Sequence, residues 1–253
     1  MRRLRPKEGS LISHVSYQDS GTDWLGRIPS TWSVKKLKFL CTRSALYGAN
    51  EPADSYVEKG VRFLRTSDIT EDGHLLDEGA VFLPAGLVQD YLLSDGDILF
   101  SRSGTLGRSF LYGAAAHGPC AYAGYLVRFV PSKYLVPRFA FYFSKSARFA
   151  GWLDGISITT TIGNVNGQKF ANLQIPTPSV TEQRAIVTFL DRETTRIDEL
   201  ISKKKTSDRT VGGRAHRARQ PRGDQGSGPP CANQGVRGGV DWAGACPLAD
   251  RPD

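Results

Sequence analysis

A compact run, Arg102-Ser103-Gly104-Thr105-Leu106-Gly107-Arg108, sets two guanidiniums and two hydroxyls around two glycines. Such a loop can donate hydrogen bonds to an anion or a base edge, because glycine lets the backbone approach closely. It is not a nucleotide phosphate loop: two residues instead of four separate its glycines, and Arg stands where the lysine should be. Asp95 and Asp97 flank Gly96, a spacing with two readings, paired carboxylates or a turn ahead of a strand. The four histidines (His14, His74, His117, His216) show no metal-ligand spacing, and the four cysteines (Cys41, Cys120, Cys231, Cys246) form no C-x-x-C pair. No G-x-S-x-G elbow, G-x-G-x-x-G signature or Asn-Pro-Pro-Tyr methyltransferase motif occurs. The expectation is a chain with no catalytic centre, metal or cofactor of its own.

The elements that must hold this loop are short. Residues 61–66, 97–101, 108–112 and 122–130 are rich in β-branched and aromatic side chains and lie among turn signals such as Asp95-Gly96 and Ser103-Gly104. They are predicted strands, two of them joined by the basic loop. Residues 136–153 predict a helix, with Pro137 in its first turn and Phe139, Phe143, Ala150 and Leu153 at helical spacing. Residues 180–203 predict a longer one, where Ser179 and Glu182 have capping-box spacing after Pro176 and Pro178. Ile186, Leu190, Ile197 and Ile201 form one apolar stripe on it, with Phe189 and Leu200 beside them and Arg184, Asp191, Arg192, Asp198 and Lys203 opposite. That pattern docks a helix by one side.

The 253 residues carry 33 Lys+Arg against 25 Asp+Glu, a formal +8 that favours an anionic partner, nucleic acid first. No apolar stretch approaches the roughly 20 residues that span a bilayer, and no apolar segment follows Met1-Arg2-Arg3 as a secretory signal requires. With cysteine usage that suits a reducing compartment, the expected location is cytoplasmic, without membrane contact. Composition changes at Thr206. Residues 206–253 hold seven Arg, nine Gly and five Pro but no Lys, Glu, Ile, Phe or Tyr, too little apolar surface to offset ordering entropy. The expected fold is α+β: a mixed β-rich domain over 17–178, a docking helix over 179–205, and a tail over 206–253 that is disordered or translated out of frame. Gly212-Gly213 and Pro221 are expected to stop the helix near Lys205.

Asp19-Ser-Gly-Thr-Asp-Trp-Leu-Gly-Arg-Ile-Pro-Ser-Thr-Trp32 with Ser33-Val-Lys-Lys-Leu-Lys38 resembles the opening of a target-recognition domain of type I restriction–modification specificity subunits. Ile175-Pro-Thr-Pro178, Glu182-Gln-Arg-Ala-Ile-Val-Thr-Phe-Leu-Asp191 and Thr195-Arg-Ile-Asp-Glu-Leu-Ile-Ser-Lys-Lys204 resemble the junction with that family's helix. Between them, Gly96-Asp-Ile-Leu-Phe-Ser-Arg-Ser-Gly104 resembles a recurring piece of these domains. The resemblance covers roughly residues 17–205. It implies a non-catalytic subunit that recognises double-stranded DNA and holds modification subunits, which bind S-adenosylmethionine and methylate adenine. Restriction subunits supply ATP-driven translocation and cleavage, so ATP and Mg belong with the partners. A full subunit of the family has two recognition domains separated by two antiparallel helices. This chain is long enough for one of each, which makes a second copy of itself an expected partner. Gly21-Thr-Asp-Trp-Leu-Gly-Arg-Ile-Pro29 recurs as Gly239-Val-Asp-Trp-Ala-Gly-Ala-Cys-Pro247, with five of nine positions identical, as an aborted second half would show. The rival readings are an inactive remnant of a damaged gene and a stand-alone DNA-modifying enzyme.

For a DNA-reading domain, donors and acceptors must sit on loops that can enter a groove. Arg65, Thr66 and Asp68 leave the strand that begins at Val61; Arg102, Ser103, Thr105 and Arg108 form the basic loop; Asn164, Asn166 and Lys169, with Gln168, lie in a polar run before the last helix. The loop reads as a DNA contact or a solvated hairpin, and the polar run as base contacts or a capped turn. Arg138, Lys145 and Arg148 share one sector of the 136–153 helix, either to track phosphates or to solvate it. Ile186, Leu190, Ile197 and Ile201 are the expected partner-docking residues.

Overall fold

The computed structural model describes residues 16–157 and 165–217. The strands are β1 (Tyr17–Asp19), β2 (Arg27–Pro29), β3 (Ser33–Lys36), β4 (Cys41–Tyr47), β5 (Val61–Leu64), β6 (Val81–Leu83), β7 (Ile98–Ser101), β8 (Ser109–Leu111), β9 (Cys120–Tyr122), β10 (Leu126–Pro131) and β11 (Gln174–Thr177). The helices are α1 (Ala85–Val88), α2 (Ala114–His117), α3 (Pro137–Ser144), α4 (Ala147–Ser157), α5 (Gly167–Ala171) and α6 (Val180–Arg217). The fold is α+β. An antiparallel sheet runs β4-β10-β7-β8 and a mixed one β6-β5-β9, with β5 and β9 parallel.

β7 explains why residues 98–100 are an unbroken apolar run: all four residues of the strand are buried. Ile98 and Phe100 face one core with Val127, Phe129, Phe139, Phe149 and Phe170, while Leu99 enters another with Leu64, Phe110, Tyr122 and Leu126. A strand covered on both faces loses the polar alternation of a half-solvated one. The Phe100 ring lies 5.2, 5.7 and 5.8 Å from those of Phe170, Phe129 and Phe149. The contacts with Phe149 and Phe170 fix the sheet against α4 and α5.

Three expected elements differ. The predicted 122–130 strand is two, β9 and β10, because the chain turns at Ala123–Leu126, where the Leu126 amide donates to the Ala123 carbonyl at 2.9 Å. The predicted 136–153 helix is α3 and α4. Ser146 causes the break: its Oγ donates to the Phe143 carbonyl at 2.7 Å and accepts from the Phe149 amide at 3.3 Å, closing one helix and capping the next. The last helix runs past Lys205 to Arg217. Each glycine costs a helix about 1 kcal/mol without blocking it, so Gly212-Gly213 does not stop it.

The chain divides into two units, Met1–Glu199 and Leu200–Asp253. The first holds every described strand; the described part of the second continues α6. The residues from 218 onward, with the Gly239–Pro247 repeat, lie outside the described residues. Among those described, no helix is long and apolar enough to cross a membrane.

Candidate nucleic-acid interface

The basic loop is the hairpin between β7 and β8. Ser101 N donates to the Arg108 carbonyl at 2.8 Å and Gly107 N to the Ser101 carbonyl at 2.9 Å. Gly104 and Gly107 have φ of 73° and 78°, which side chains adopt rarely. A Cβ on Gly107 would also lie 2.1 Å from Leu153 Cδ1. Two other predicted segments converge here. Thr105 Oγ1 lies 3.5 Å from the Thr66 carbonyl oxygen, and Val165 N donates to the Arg102 carbonyl at 2.9 Å. Thr66, the loop and the start of α5 therefore form one polar rim.

Not every candidate side chain is available at this rim. Asp68 is buried, and its carboxylate accepts from Arg65 N at 2.8 Å, Nε at 3.2 Å and Nη2 at 2.8 Å. Arg65 Nη2 also donates to the Gly79 carbonyl at 2.7 Å. The expectation that Asp68 contacts DNA is corrected accordingly: its buried carboxylate and Arg65 together close the turn that presents Thr66. Arg108 Nη1 donates to the Ile69 carbonyl at 2.6 Å, fastening the loop to that same turn. Asn166 Oδ1 accepts from Lys169 N at 2.9 Å, so the capped-turn alternative holds for it. Ser103 and Lys169 are half-buried and Thr105 is exposed. Asn164 lies outside the described residues.

Of the Asp95/Asp97 alternatives, the structure shows the turn. Asp95 Oδ1 accepts from Ala114 N at 3.0 Å, and Asp97 is buried against Arg128. The α3 and α4 cations have partners within the chain. Arg138 pairs with Asp191 at 2.5 Å, Arg148 Nη1 donates to the Trp24 carbonyl at 3.1 Å, and Lys145 Nζ donates to the Glu71 and Ser109 carbonyls at 2.7 and 3.3 Å. Burial pushes the Lys145 amine down to about 8. The unfolded chain then holds this proton more tightly, so stability should rise from pH 8 toward 10. Lys145→Met should flatten that rise in urea unfolding measured at pH 7.5 and 9.5. An equal rise in both chains would show that the amine takes no part.

Two residues at the rim escaped sequence reasoning, Tyr47 and Tyr125, respectively 45% and 61% exposed. Arg102 lies between them: its guanidinium carbon is 5.1 Å from the Tyr47 ring centroid, and its amide donates to the Tyr125 carbonyl at 3.0 Å. Tyr47 ends a strand of mixed polarity and Tyr125 lies in the turn between β9 and β10, so no local pattern marked either ring.

The segments that carry the family resemblance meet in space. β3 pairs antiparallel with β11, and Trp32 Nε1 donates to Glu182 Oε1 at 2.9 Å. Gln183 is fully buried: its Nε2 donates to the Tyr134 and Pro178 carbonyls, both at 3.1 Å, and its Oε1 accepts from Val136 N at 2.8 Å. These bonds root α6 in the domain. A family model described as the type I restriction modification DNA specificity domain matches residues 29–207. The chain belongs to that family.

Among its relatives, the StySPI specificity subunit of Salmonella potsdam is 24% identical over 180 residues, 68% of this chain and 38% of that subunit. The MjaVIII specificity subunit of Methanocaldococcus jannaschii is 27% identical over 81% of this chain and 47% of its own length. The chain therefore spans less than half the length of these type I specificity subunits. The HsdS subunit from Thermoanaerobacter tengcongensis shares the fold at 20% identity and a TM-score of 0.54, over 74% of this chain and 42% of that one. A chain from a structure of type I R-M complex assembly and conformational transition aligns with a TM-score of 0.59 at 20% identity, over 78% of this chain and 45% of its own.

On α6 the expected stripe of this specificity domain is divided. Ile186 packs with Val187 against the domain's own core, so its assignment to partner docking is corrected. Leu190 is half-buried, while Phe189 and Ile197 are each 53% exposed. In the second unit, Leu200 and Ile201 are exposed.

Proposed function

We propose that this chain reads one half of a bipartite duplex DNA site and directs partner subunits to it. The observation that carries this is the convergence of Thr66, Arg102–Thr105 and Val165–Lys169 on one rim of a domain of the DNA specificity family. Exposed hydroxyls and a guanidinium suit base edges, and backbone donors suit phosphates. The chain itself supplies no chemistry. Modification subunits docked along α6 carry S-adenosylmethionine and methylate adenine; restriction subunits bring ATP and Mg. Two copies of the recognition domain described above, related by a two-fold axis, read a palindromic bipartite site.

The experiment is selection from a randomised duplex pool by the purified chain, followed by titration of the selected duplex at fixed salt. One short sequence should be enriched and bound at least 10³-fold more tightly than unrelated duplex, in the range of specific readers. Equal affinity for all duplexes would overturn the proposal.

A further inference from the structure

We infer that Arg102 reads a guanine within the half-site and that Tyr47 is the positioning residue that aims it, an assignment that rests on the DNA-reading role proposed above. The argument begins with the guanidiniums around the rim. Arg65 is engaged by Asp68 and Gly79, and Arg108 by Ile69. Arg102 differs from both. Its main chain is fixed on each side, at Tyr125 and Val165, yet among the described residues its side chain makes only a long 3.4 Å hydrogen bond, from Nη1 to the Gly124 carbonyl. Its Nε is buried without a hydrogen-bond partner. A buried donor left unpaired costs free energy and calls for an explanation. The terminal Nη1 and Nη2 are the donors left to meet a ligand.

Tyr47 supplies the orientation. Its hydroxyl accepts from Gly167 N at 2.8 Å, and a Cβ on Gly167 would lie 3.0 Å from that oxygen. Two residues earlier, Ala45 has φ of 57°, where the β4–β10 register is irregular. Bulges of this kind re-aim side chains, and backbone strain of this kind gathers at functional sites. The Arg102 guanidinium carbon lies 5.1 Å from the centroid of the ring so held, a cation–π contact that restrains the side chain. A planar fork restrained in this way fits a rigid planar pair of acceptors. In duplex DNA these are O6 and N7 of guanine in the major groove. A phosphate also accepts from such a fork, and the salt slope of the variant separates the two.

The test uses the full chain with Arg102→Ala, Arg102→Lys, Tyr47→Leu and Arg108→Ala, each carried through duplex selection, titration and thermal unfolding. Arg102→Ala should weaken the selected site about 5- to 150-fold, the loss expected for one bidentate base contact. Preference at one G·C pair should vanish while the other positions keep theirs and the unfolding midpoint stays unchanged. Arg102→Lys should keep non-specific affinity but lose most of that preference, because it retains the charge without the fork. Tyr47→Leu should lose preference at the same base pair. Arg108→Ala should lower the midpoint, since it unfastens the hairpin. A uniform loss on all sequences with a salt slope reduced by about 1 would make Arg102 a phosphate contact and overturn the inference while leaving DNA reading intact. A wild-type chain without sequence preference would overturn both.

Discussion

Replacing Arg128 with Met should destabilise the recognition domain by about 3–5 kcal/mol, and replacing Arg128 and Asp97 together with apolar residues of similar size should recover most of that loss. Arg128 lies on β10 and Asp97 just before β7; both are buried, and Nη2 meets Oδ2 at 2.6 Å. Nη1 donates to the Leu92 carbonyl at 2.8 Å, and the same carboxylate oxygen accepts from Ser94 N at 2.6 Å. Asp97 Oδ1 and Arg128 Nε are buried without partners, so the pair is only partly compensated. Consistently, burial raises the Asp97 carboxyl above its ordinary value, although Ser94 and Arg128 pull it down. A carboxyl raised in the folded state binds its proton more readily there than in the unfolded chain. Its ionised form therefore costs stability, and that cost is relieved as pH falls through the raised value. Without Arg128 the cost grows, so the gap between wild type and Arg128→Met should be wider at pH 8 than at pH 5. Urea unfolding at the two pH values measures it. A gap independent of pH, or a double variant as unstable as the single one, would sink this account.

What was legible in the sequence was local. The apolar run of β7, the basic hairpin after it and the cap of α6 each rest on neighbours within a few residues. Ser179 Oγ does accept from Glu182 N, at 3.2 Å. The other half of that capping box was misleading, because the Glu182 carboxylate accepts instead from Trp32, 150 positions away. Asp68 illustrates the same limit. As a residue type it suits a base contact, and only its burial beside Arg65 shows that it is spent. The β4 bulge that sets Tyr47 depends on pairing with β10, a register no local pattern encodes. α3 and α4 read as one helix because apolar spacing does not register the side-chain bonds of Ser146. Glycine is a weak stop where no proline follows at once, which is why the end of α6 was misplaced.

The arm gives the larger functional effect. Phe189→Asp with Ile197→Asp should abolish co-purification of this chain with the modification subunit proposed to dock on it, while leaving folding and DNA selection unchanged. Near its root α6 is held by this chain itself: Gln183 makes three buried bonds, Ile186 and Val187 pack on the core, and Asp191 accepts from Arg138 Nε and the Tyr142 hydroxyl, each at 2.5 Å. That anchoring fixes the direction of the helix without covering Phe189 or Ile197. Exposed apolar residues at helical spacing on a rooted arm suit a partner helix. Truncating a central anchor of such an interface costs at least about 2 kcal/mol, so two should lower affinity about 10³-fold, and a buried Asp adds its own desolvation. Because both positions are solvated in the free chain, the double variant should keep the wild-type unfolding midpoint. Gln183→Leu makes the contrast: it leaves the Val136 amide and the Tyr134 carbonyl without their partner, so it should lower the midpoint. Co-expression with the modification subunit and sizing chromatography read the outcome. A complex that elutes intact with both aspartates in place would show that the partner docks elsewhere.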